Sequence, residues 1–426
     1  MREMKDSEAS WLGMIPTEWE LKKINSLYSL RNTKVSDRDY SPLSVTMKGI
    51  VPQLENAAKT NAHDDRKLVK KGDFAINSRS DRRGSCGISD MDGSVSLINT
   101  VLKPNQEMNP KYYNWLFHTV QFADEFYANG HGIVNDLWTT TWQDMKKILT
   151  PSPPIEEQQR IANFLDEKCS EIDSLAKNIE KQIGTLEVYK KSIITEAVTK
   201  GLDPNVVMKD SGIEGVNEIP SHWQVKRAKY ICESLFKGNG ITKDDIKDDG
   251  DICCIRYGEI YSKYNGAVTA PTTSTNISLV TSPKHIKKGD LLFAGTGELI
   301  EEIGKNIVYM GNSPCLAGGD IIIMRHSQNP IFLNYTMNSV LTQIQKSKGK
   351  AKLKVVHISA TDIGNLFVAM PPLEEQQQIA DYLDSKCSEI DAIIQTKKEQ
   401  LDVLAEYKKS LIYEYVTGKK EVPVNE

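Results

Sequence analysis

The segment PPIEEQQRIANFLDEKCSEID at residues 153–173 returns as PPLEEQQQIADYLDSKCSEID at residues 371–391. The match continues from YKKSIITEAVT at 189–199 to YKKSLIYEYVT at 407–417, and about 26 of the 47 positions in 153–199 are identical in the second copy. A repeat at one fixed offset indicates a duplicated structural unit. We infer that the chain contains two copies of one plan.

Each copy opens in the same way and then diverges. MKDSEASWLGMIPTEWELKK, which starts at Met4, recurs as MKDSGIEGVNEIPSHWQVKR, which starts at Met208. The bodies that follow, 21–152 and 225–370, keep only traces in common, such as a Gly-Asp pair at 72–73 and at 289–290. A shared frame with diverged bodies predicts two different recognition surfaces on one pseudo-twofold scaffold. Within the opening segments, Trp19 and Trp223 are predicted to be packing anchors rather than platforms for base stacking.

The repeated segments are predicted to be long helices. Pro153 and Pro154 suit a helix start, and Glu156 and Glu157 complement the positive end of the helix dipole. Further along, apolar residues follow a heptad pattern, which predicts an antiparallel coiled coil between the two copies. The predicted seam residues are Ile172, Leu175, Ile179, Leu186, Tyr189 and Ile193 in the first copy, and Ile390, Ile393, Leu404, Tyr407 and Leu411 in the second.

Polar residues interrupt this predicted seam. Gln182 and Gln400 occupy the same seam position in both copies, and Lys397 adds another polar group to the second. Such residues either fix the register of the helices or face solvent on a loosely packed seam. Gly201 and Gly418 follow the helical segments and are expected to end them.

The two diverged bodies are predicted to be mixed α/β (α+β) domains with many short strands. Apolar runs at Ile252–Ile255, Leu291–Phe293 and Ile321–Met324 are separated by turn-forming residues. A helix is predicted at 111–127, with its equivalent at 331–346. The predicted fold is therefore two globular domains separated by two long helices in an antiparallel coiled coil.

Composition bounds the class of protein. A chain of 426 residues with 39% apolar and 26% charged residues predicts two or three folded domains rather than one core. No apolar run of membrane-spanning length and no secretory signal occur, so we expect a cytoplasmic protein. The seven cysteines are scattered without a C-x-x-C pair, which predicts reduced thiols rather than disulfides or zinc ligands.

Catalytic motifs are weak or missing in the sequence. FAGTG at 293–297 resembles the loop with which methyltransferases hold S-adenosylmethionine, but a turn between strands is the better interpretation because no catalytic tetrapeptide accompanies it. The sequence contains no phosphate-binding G-x-x-x-x-G-K-[ST] loop, and the seven histidines lie far apart. We expect no catalytic centre, metal site or cofactor on this chain.

Two basic clusters are candidate binding surfaces. SRSDRRGS at 78–85 holds three arginines, and KSKGKAKLK at 346–354 holds five lysines. Arginine and lysine in loops suit phosphate and guanine contacts in DNA, although a solvated charged loop without a ligand is the simpler alternative. The formal net charge of −4 means that contacts with DNA would depend on such local clusters.

The motif P-P-[IL]-E-E-Q-Q-x-I-A-x-[FY]-L-D-x-K at 153–168 and 371–386, with I-P-x-x-W at 15–19 and 219–223, resembles the specificity subunits of type I restriction–modification systems. The resemblance covers essentially the whole chain. It implies four segments, namely target recognition domains at 1–152 and 204–370 and conserved helical spacers at 153–203 and 371–426.

The resemblance also implies a function and partners. Such a subunit reads an asymmetric bipartite site in double-stranded DNA and directs adenine-N6 methylation or restriction by other subunits. Two methyltransferase subunits would carry S-adenosylmethionine, and two translocase–nuclease subunits would use ATP and Mg²⁺. The helices would act as a ruler, because the 28 residues of 172–199 span roughly 40 Å as a helix and one DNA turn is about 34 Å.

The candidate DNA-contacting side chains lie mostly in the basic clusters. They are Arg79, Arg82 and Arg83 in the first domain, and Arg256, Tyr257, Lys346, Lys348, Lys350 and Lys352 in the second. Two other functions stay open at this stage: an enzyme that methylates or cleaves DNA alone, and an adaptor that uses the same helices without binding DNA.

Overall fold

The computed structural model describes residues 2–53, 63–105, 108–132, 138–297, 299–350 and 356–423. Contacts divide the chain into two units. Unit 1 contains residues 1–180 and 398–426, and unit 2 contains residues 181–397. Each unit therefore combines one globular body with parts of both repeated segments.

Unit 1 begins with short strands and ends its globular body with helices. The strands described are β1 (Met4–Asp6), β2 (Met14–Pro16), β3 (Glu20–Lys23), β4 (Tyr28–Leu30), β5 (Lys34–Val35), β6 (Leu43–Thr46), β7 (Gly49–Pro52), β8 (Arg66–Val69), β9 (Phe74–Asn77), β10 (Cys86–Ile88), β11 (Gly93–Ser96), β12 (Asn99–Pro104) and β13 (Leu149–Ser152). The helices are α1 (Ile24–Leu27), α2 (Pro110–Phe117), α3 (Val120–Ala128), α4 (Trp142–Met145) and the first part of α5 (Ile155–Lys200).

Unit 2 repeats this plan with a larger strand content. Its strands are β14 (Met208–Ile213), β15 (Val216–Pro220), β16 (Gln224–Arg227), β17 (Cys232–Lys237), β18 (Ile252–Ile255), β19 (Ala267–Val268), β20 (Thr273–Thr275), β21 (His285–Ile286), β22 (Leu291–Ala294), β23 (Thr296–Gly297), β24 (Asn306–Tyr309), β25 (Cys315–Ala317), β26 (Ile321–His326), β27 (Val356–His357) and β28 (Phe367–Met370). Its helices are α6 (Tyr257–Ser262), α7 (Pro330–Asn338), α8 (Val340–Ser347), α9 (Ala360–Gly364) and the first part of α10 (Leu373–Val416).

The main sheets of the two bodies share one topology. In unit 1 the strand order is β10-β9-β12-β4, and in unit 2 it is β24-β22-β26-β17, with β19 added beside β24. The three apolar runs predicted as strands are confirmed as β18, β22 and β26. The diverged bodies therefore keep a common sheet, and the mixed α/β class is confirmed.

The same buried aspartate supports this sheet in both units. Asp73 accepts hydrogen bonds from Arg31, with its Oδ1 3.0 Å from Arg31 Nη2, and Asp290 lies 2.8 Å from Arg325 Nη2. Each aspartate also accepts a backbone N–H three residues before it, at 2.8 Å in both units. The Gly-Asp trace in the sequence thus marks a conserved structural position, because a buried carboxylate needs paired donors.

The prediction of single helices at 111–127 and 331–346 was wrong. Each segment is two helices, α2 followed by α3 and α7 followed by α8. The second helix starts at a hydroxyl residue, because the Thr119 side chain accepts from Phe122 N and the Ser339 side chain accepts from Thr342 N. These N-caps satisfy backbone donors at a new helix start, so the chain turns there instead of continuing.

The long helices α5 and α10 contribute to the core of both units. In unit 1, Ile161 and Leu165 of α5 and Leu411 and Val416 of α10 are buried in the cluster that contains Trp19. In unit 2, α5 and α10 supply the buried residues Ile193, Ala197, Val198, Ile379, Leu383, Ile390 and Ile394. Apolar burial is the main favourable term in folding, so each globular body depends on helices from both repeats.

Side chains of α5 and α10 meet in antiparallel order within each unit. In unit 1, Lys408 Nζ lies 2.6 Å from Asp173 Oδ1. In unit 2, Lys190 Nζ lies 2.6 Å from Asp391 Oδ2. The two ion pairs join equivalent positions of the two copies in reciprocal order, as expected for a duplicated helix pair.

Four of the eleven predicted seam residues do not lie inward. Ile172, Ile179, Leu186, Ile193, Ile390, Leu404 and Leu411 are buried or half-buried. Four predicted seam residues are instead exposed, at 48% for Leu175, 56% for Tyr189, 42% for Ile393 and 53% for Tyr407. The inward positions are the residues that directly follow these four, namely Ala176, Lys190, Ile394 and Lys408.

The physical reason is that lysine stems fill part of the true seam. Lys190 and Lys408 lie inward and place their ammonium groups on Asp391 and Asp173. A lysine can bury its aliphatic stem and keep its charge paired, which an apolar pattern does not register. Gln182 and Gln400 are both exposed, and Gln182 accepts a hydrogen bond from Lys397 Nζ. The alternative that the glutamines face solvent is therefore the better one.

The tryptophans of the two opening segments and the glycine after α5 have the predicted roles. Trp19 and Trp223 are fully buried, so both are packing anchors. The indole N–H of Trp19 donates to Glu157 at 2.9 Å, and that of Trp223 donates to Glu375 at 3.0 Å. Gly201 has a φ of +74° directly after α5, the left-handed conformation that suits glycine at a helix end.

Candidate DNA interface

The arginine cluster of unit 1 is a tight loop between two neighbouring strands. Residues 78–85 connect β9 to β10, and Ser80–Arg82 form a single 3-10 turn. Asn77 N donates to Ser85 O at 2.9 Å, which closes the loop at its base. Because the loop is short and closed, its three arginines are held outside the sheet, and all three are exposed.

The three arginines differ in their ion pairing. Arg83 forms an ion pair with Asp124, and its guanidinium lies over the ring of Tyr127. Arg82 lies 3.6 Å from Asp81. Arg79 forms no ion pair with the part of the chain that the structure describes. Arg79 is therefore the arginine of this loop best placed to bind an external group, since its charge has no internal partner there.

A second loop segment completes this edge of unit 1. Thr139 and His131 exchange two backbone hydrogen bonds of 3.0 Å, and Arg79 forms a β-bridge with Thr139. Thr140 N donates to Ser78 O at 2.9 Å, which ties the segment to the arginine loop. Sequence reasoning did not identify His131 or Thr139, because no charge cluster marks them.

Unit 2 has the same pair of segments at the same place in its sheet. Ile358 N donates to Gly295 O at 2.9 Å, as Thr140 N does to Ser78 O in unit 1. Thr296 pairs with His357 where Arg79 pairs with Thr139. In unit 1 the arginine cluster forms the first segment of this edge. In unit 2 the lysine cluster comes before the second segment, which contains His357.

Lys346 is not available for DNA binding, which corrects the prediction. Its side chain is buried, and its ammonium donates to Gly304 O at 2.7 Å and to Met337 O at 2.6 Å. Burial lowers the pKa of Lys346 to about 7, because the apolar surroundings disfavour the charged form. This lysine fastens α8 to the turn before β24 and is a structural residue.

Replacing Lys346 by methionine is expected to flatten the pH dependence of stability. In the unfolded chain a lysine keeps its proton up to about pH 10. Between about pH 7 and pH 10 the unfolded state therefore binds more protons, and the free energy of unfolding rises with pH by up to about 1.4 kcal/mol per unit. Below about pH 7 Lys346 is protonated in both states, so its contribution to the free energy of unfolding no longer changes with pH.

Urea unfolding at pH 7, 8 and 9 measures this effect. The Lys346→Met protein should lack the rise that the wild-type protein shows. Lys348→Met is the matched control, because Lys348 is exposed and its removal should preserve the wild-type slope. Equal slopes in the wild-type and Lys346→Met proteins would contradict the assignment.

The other predicted residues of unit 2 lie at or beside this edge. Lys348 is bonded to Glu214, and Lys350 Nζ donates to His357 O at 2.8 Å and to Asp362 at 3.1 Å. Lys352 lies outside the described residues.

Arg256 and Tyr257 follow β18 and begin α6. This helix approaches β23, because a Cβ added to Gly297 would lie 2.8 Å from the Tyr261 hydroxyl. Tyr257 is exposed, and the buried Nε of Arg256 has no hydrogen-bond partner among the described residues.

Within the residues that the structure describes, no group of three or more histidine, cysteine or acidic side chains could hold a metal ion. No helix in the same ranges is long and apolar enough to cross a membrane. The seven cysteines form no disulfide in the structure.

Comparisons with known proteins identify the class. The family model for the type I restriction modification DNA specificity domain matches residues 16–185 and 220–403. The MjaX type I restriction enzyme specificity subunit of Methanocaldococcus jannaschii is 25% identical over 439 residues, with 96% of each chain covered. The EcoBI specificity subunit of Escherichia coli is 25% identical over 283 residues, covering 61% of this chain and 55% of that protein.

Solved structures share the fold. One, from work on complex assembly and conformational transition of the type I R-M system, has a TM-score of 0.74 at 16% identity and covers 95% of this chain and 99% of the other. The HsdS subunit from Thermoanaerobacter tengcongensis has a TM-score of 0.53 at 17% identity, covering 95% and 98%.

The fold and the repeated domain matches define a DNA-recognition protein rather than an enzyme. The chain belongs to the family of type I restriction–modification DNA specificity subunits. The prediction of a specificity subunit from the repeated helical motif is thereby confirmed.

Proposed function

We propose that this chain reads an asymmetric bipartite DNA site, one half with each globular body, and directs adenine-N6 methylation or restriction by partner subunits. The carrying observation is that two unrelated basic clusters adjoin equivalent two-segment edges of the two bodies. One contains Arg79, and the other contains Lys348 and Lys350. The differing residues on a common frame account for two different half-sites.

Mapping of N6-methyladenine across the host genome tests this function. Cells with and without this chain should differ by one bipartite methylated motif whose halves are unlike each other. A methylome that is unchanged by deletion of the chain would refute the proposal. Purified chain incubated with DNA and S-adenosylmethionine should give no methylation by itself, which separates this function from that of a stand-alone enzyme.

Replacing Arg79 by alanine is expected to relax one base position of one half-site. An arginine that grips guanine contributes about 1 to 3 kcal/mol of discrimination, and Arg79 lacks an ion pair to any described residue. Arg79→Lys is the matched control, because lysine keeps the charge but lacks the planar fork. It should retain affinity for random DNA and still lose discrimination. The measurement is competition binding with duplexes that differ at one base pair; equal discrimination by all three proteins would contradict the role.

Partner subunits would dock on the exposed apolar residues of the long helices. Leu175 of α5 and Tyr407 of α10 are exposed in unit 1, and Ile393 of α10 and Tyr189 of α5 are exposed at the equivalent positions of unit 2. Two equal apolar surfaces on one chain suit two copies of one partner, and we assign them to the methyltransferase subunits. Two restriction subunits would join the same complex.

The helices would also set the number of unread base pairs between the half-sites. The support for this role is that each body packs on both helices. A change in the length of the helices between the bodies would therefore change the spacer and leave each body intact. Segment boundaries at 1–152, 153–203, 204–370 and 371–426 remain part of this proposal.

A further inference from the structure

The FAGTG segment at 293–297, which resembles a cofactor loop in sequence, forms a socket for a histidine. Its threonine, Thr296, lies on β23 and pairs with His357 on β27. Thr296 Oγ1 is 2.8 Å from Asp320 Oδ2 and 3.0 Å from His357 Nδ1. The three side chains thus form a chain of hydrogen bonds that runs from Asp320 through Thr296 to the ring of His357.

The direction of these hydrogen bonds follows from the donors and acceptors present. A carboxylate can only accept, so the single hydroxyl proton of Thr296 is donated to Asp320. Thr296 Oγ1 must then accept from His357 Nδ1–H. In the neutral ring the other nitrogen, Nε2, is therefore an acceptor, because a second group fixes the tautomer.

Backbone geometry turns this ring toward solvent. Val356 and Ile358 are both buried at 4% exposure, whereas His357 between them is exposed. Alternation along an extended segment places His357 on the face opposite to its neighbours. Ile358 N is bonded to Gly295 O, and Gly295 N to Asp320 O at 2.7 Å, which hold the segment in place.

The glycines of the segment are needed for this close approach. A Cβ on Gly295 would lie 2.8 Å from Asp320 O, so a side chain there would push the strands apart. Gly295 is therefore explained by packing of the socket, and Gly297 by its close approach to the Tyr261 hydroxyl.

The position of the socket matches the arginine site of unit 1. Arg79 pairs with Thr139 there, and Thr296 pairs with His357 here. The exposed side chain of this pair is Arg79, on the first segment, in unit 1 and His357, on the second segment, in unit 2. Lys350 lies beside this segment, where its Nζ donates to His357 O and to Asp362.

We propose that His357 is a base-reading residue of unit 2, held by Thr296 and Asp320 so that Nε2 accepts a hydrogen bond from the exocyclic amino group of adenine or cytosine. The proposal rests on the DNA-reading function proposed above and names a contact that makes it selective. Both bases present this donor in the major groove, where a histidine acceptor distinguishes them from guanine and thymine.

Chromosomal variants in the native host test the contact within the whole complex. His357→Ala should relax one base position in one half of the methylated motif, with a roughly tenfold loss of discrimination, and leave the other half unchanged. Thr296→Val should relax the same position, because the ring loses the group that orients it. Thr296→Ser keeps the hydroxyl and should preserve the motif.

His285→Ala is the matched control, because His285 is an exposed histidine on β21 of the same unit. It should leave the motif intact. An unchanged motif in the His357→Ala strain, with methylation still dependent on the chain, would overturn the role of His357 and preserve the proposed function. Loss of all methylation in that strain, together with an unrelaxed half-site in the Thr296→Val strain, would also overturn it. Failure of the proposed function would show instead as a wild-type methylome that does not depend on the chain.

Discussion

A seven-residue helical insertion placed after Gly184 in α5 and a second one placed after Gln395 in α10 are expected to lengthen the unread spacer by about three base pairs. Seven residues add roughly 10 Å of helix, and base pairs rise about 3.4 Å each. Lys397 bonds to Gln182, so these two insertion points face each other and the seam continues on both sides. Both half-site sequences should be unchanged, as measured by methylome mapping.

Two controls accompany the double insertion. An insertion in one helix alone should abolish methylation, because seven unmatched residues displace every seam contact beyond it. The same insertion after Gly215, in the turn between β14 and β15, should leave the spacer unchanged. A spacer that keeps its length in the double-insertion protein would count against the ruler.

Replacing Trp19 by alanine is expected to lower the free energy of unfolding of unit 1 by about 3 to 5 kcal/mol. The indole is fully buried and donates a hydrogen bond to Glu157. Its ring centroid lies 5.3 Å from the guanidinium carbon of Arg2. Its removal leaves a cavity and takes one donor from a paired carboxylate. Trp223→Ala should have the same effect in unit 2, where the indole donates to Glu375.

Hydrogen exchange resolved by peptide separates the two effects. Trp19→Ala should reduce protection in unit 1 and Trp223→Ala in unit 2. Tyr230→Ala removes a side chain that is 72% exposed and should change neither. Trp19→Phe keeps most of the buried area and should cost less than alanine. A loss below about 1 kcal/mol for Trp19→Ala would refute the anchor role.

The repeat made the architecture predictable. Identical residues at a fixed offset gave the two long helices, the equivalent tryptophans and the glycines that end the helices, because these depend on local chemistry that is written twice. The family followed from the same residues. Strands such as β22 and β26 were predicted for a related reason, since short apolar runs between turn residues have few alternatives.

Other features depended on contacts that one sequence does not reveal. The seam was misassigned because Leu175 and Tyr189 are apolar yet exposed, whereas Lys190 is charged yet lies inward beside Asp391. Charge likewise misled the assignment of Lys346, whose ammonium is satisfied by two carbonyl groups. In both cases a tertiary partner overrides the preference of the isolated residue.

The candidate interface was found only in part. The basic clusters were visible in the sequence, but the edge that they share was not. The structure matches Ser78 to Gly295, one residue before Arg79 and Thr296 respectively. The Gly-Asp pairs that precede β9 and β22 give this alignment from sequence, so they are the signal that could have matched Thr296 to Arg79.

The way the helices complete each core has a consequence for ancestry. In unit 1, Tyr112 donates to the carbonyl of Val416 and Tyr413 donates to that of Trp11, so the C-terminal end of α10 closes the body built by the N-terminal half. A half-length polypeptide that stopped after α5 would lack those residues and could obtain them only from a second copy. Such halves would associate as a symmetric pair and select palindromic targets. Fusion of two genes would then have freed each half to evolve its own preference.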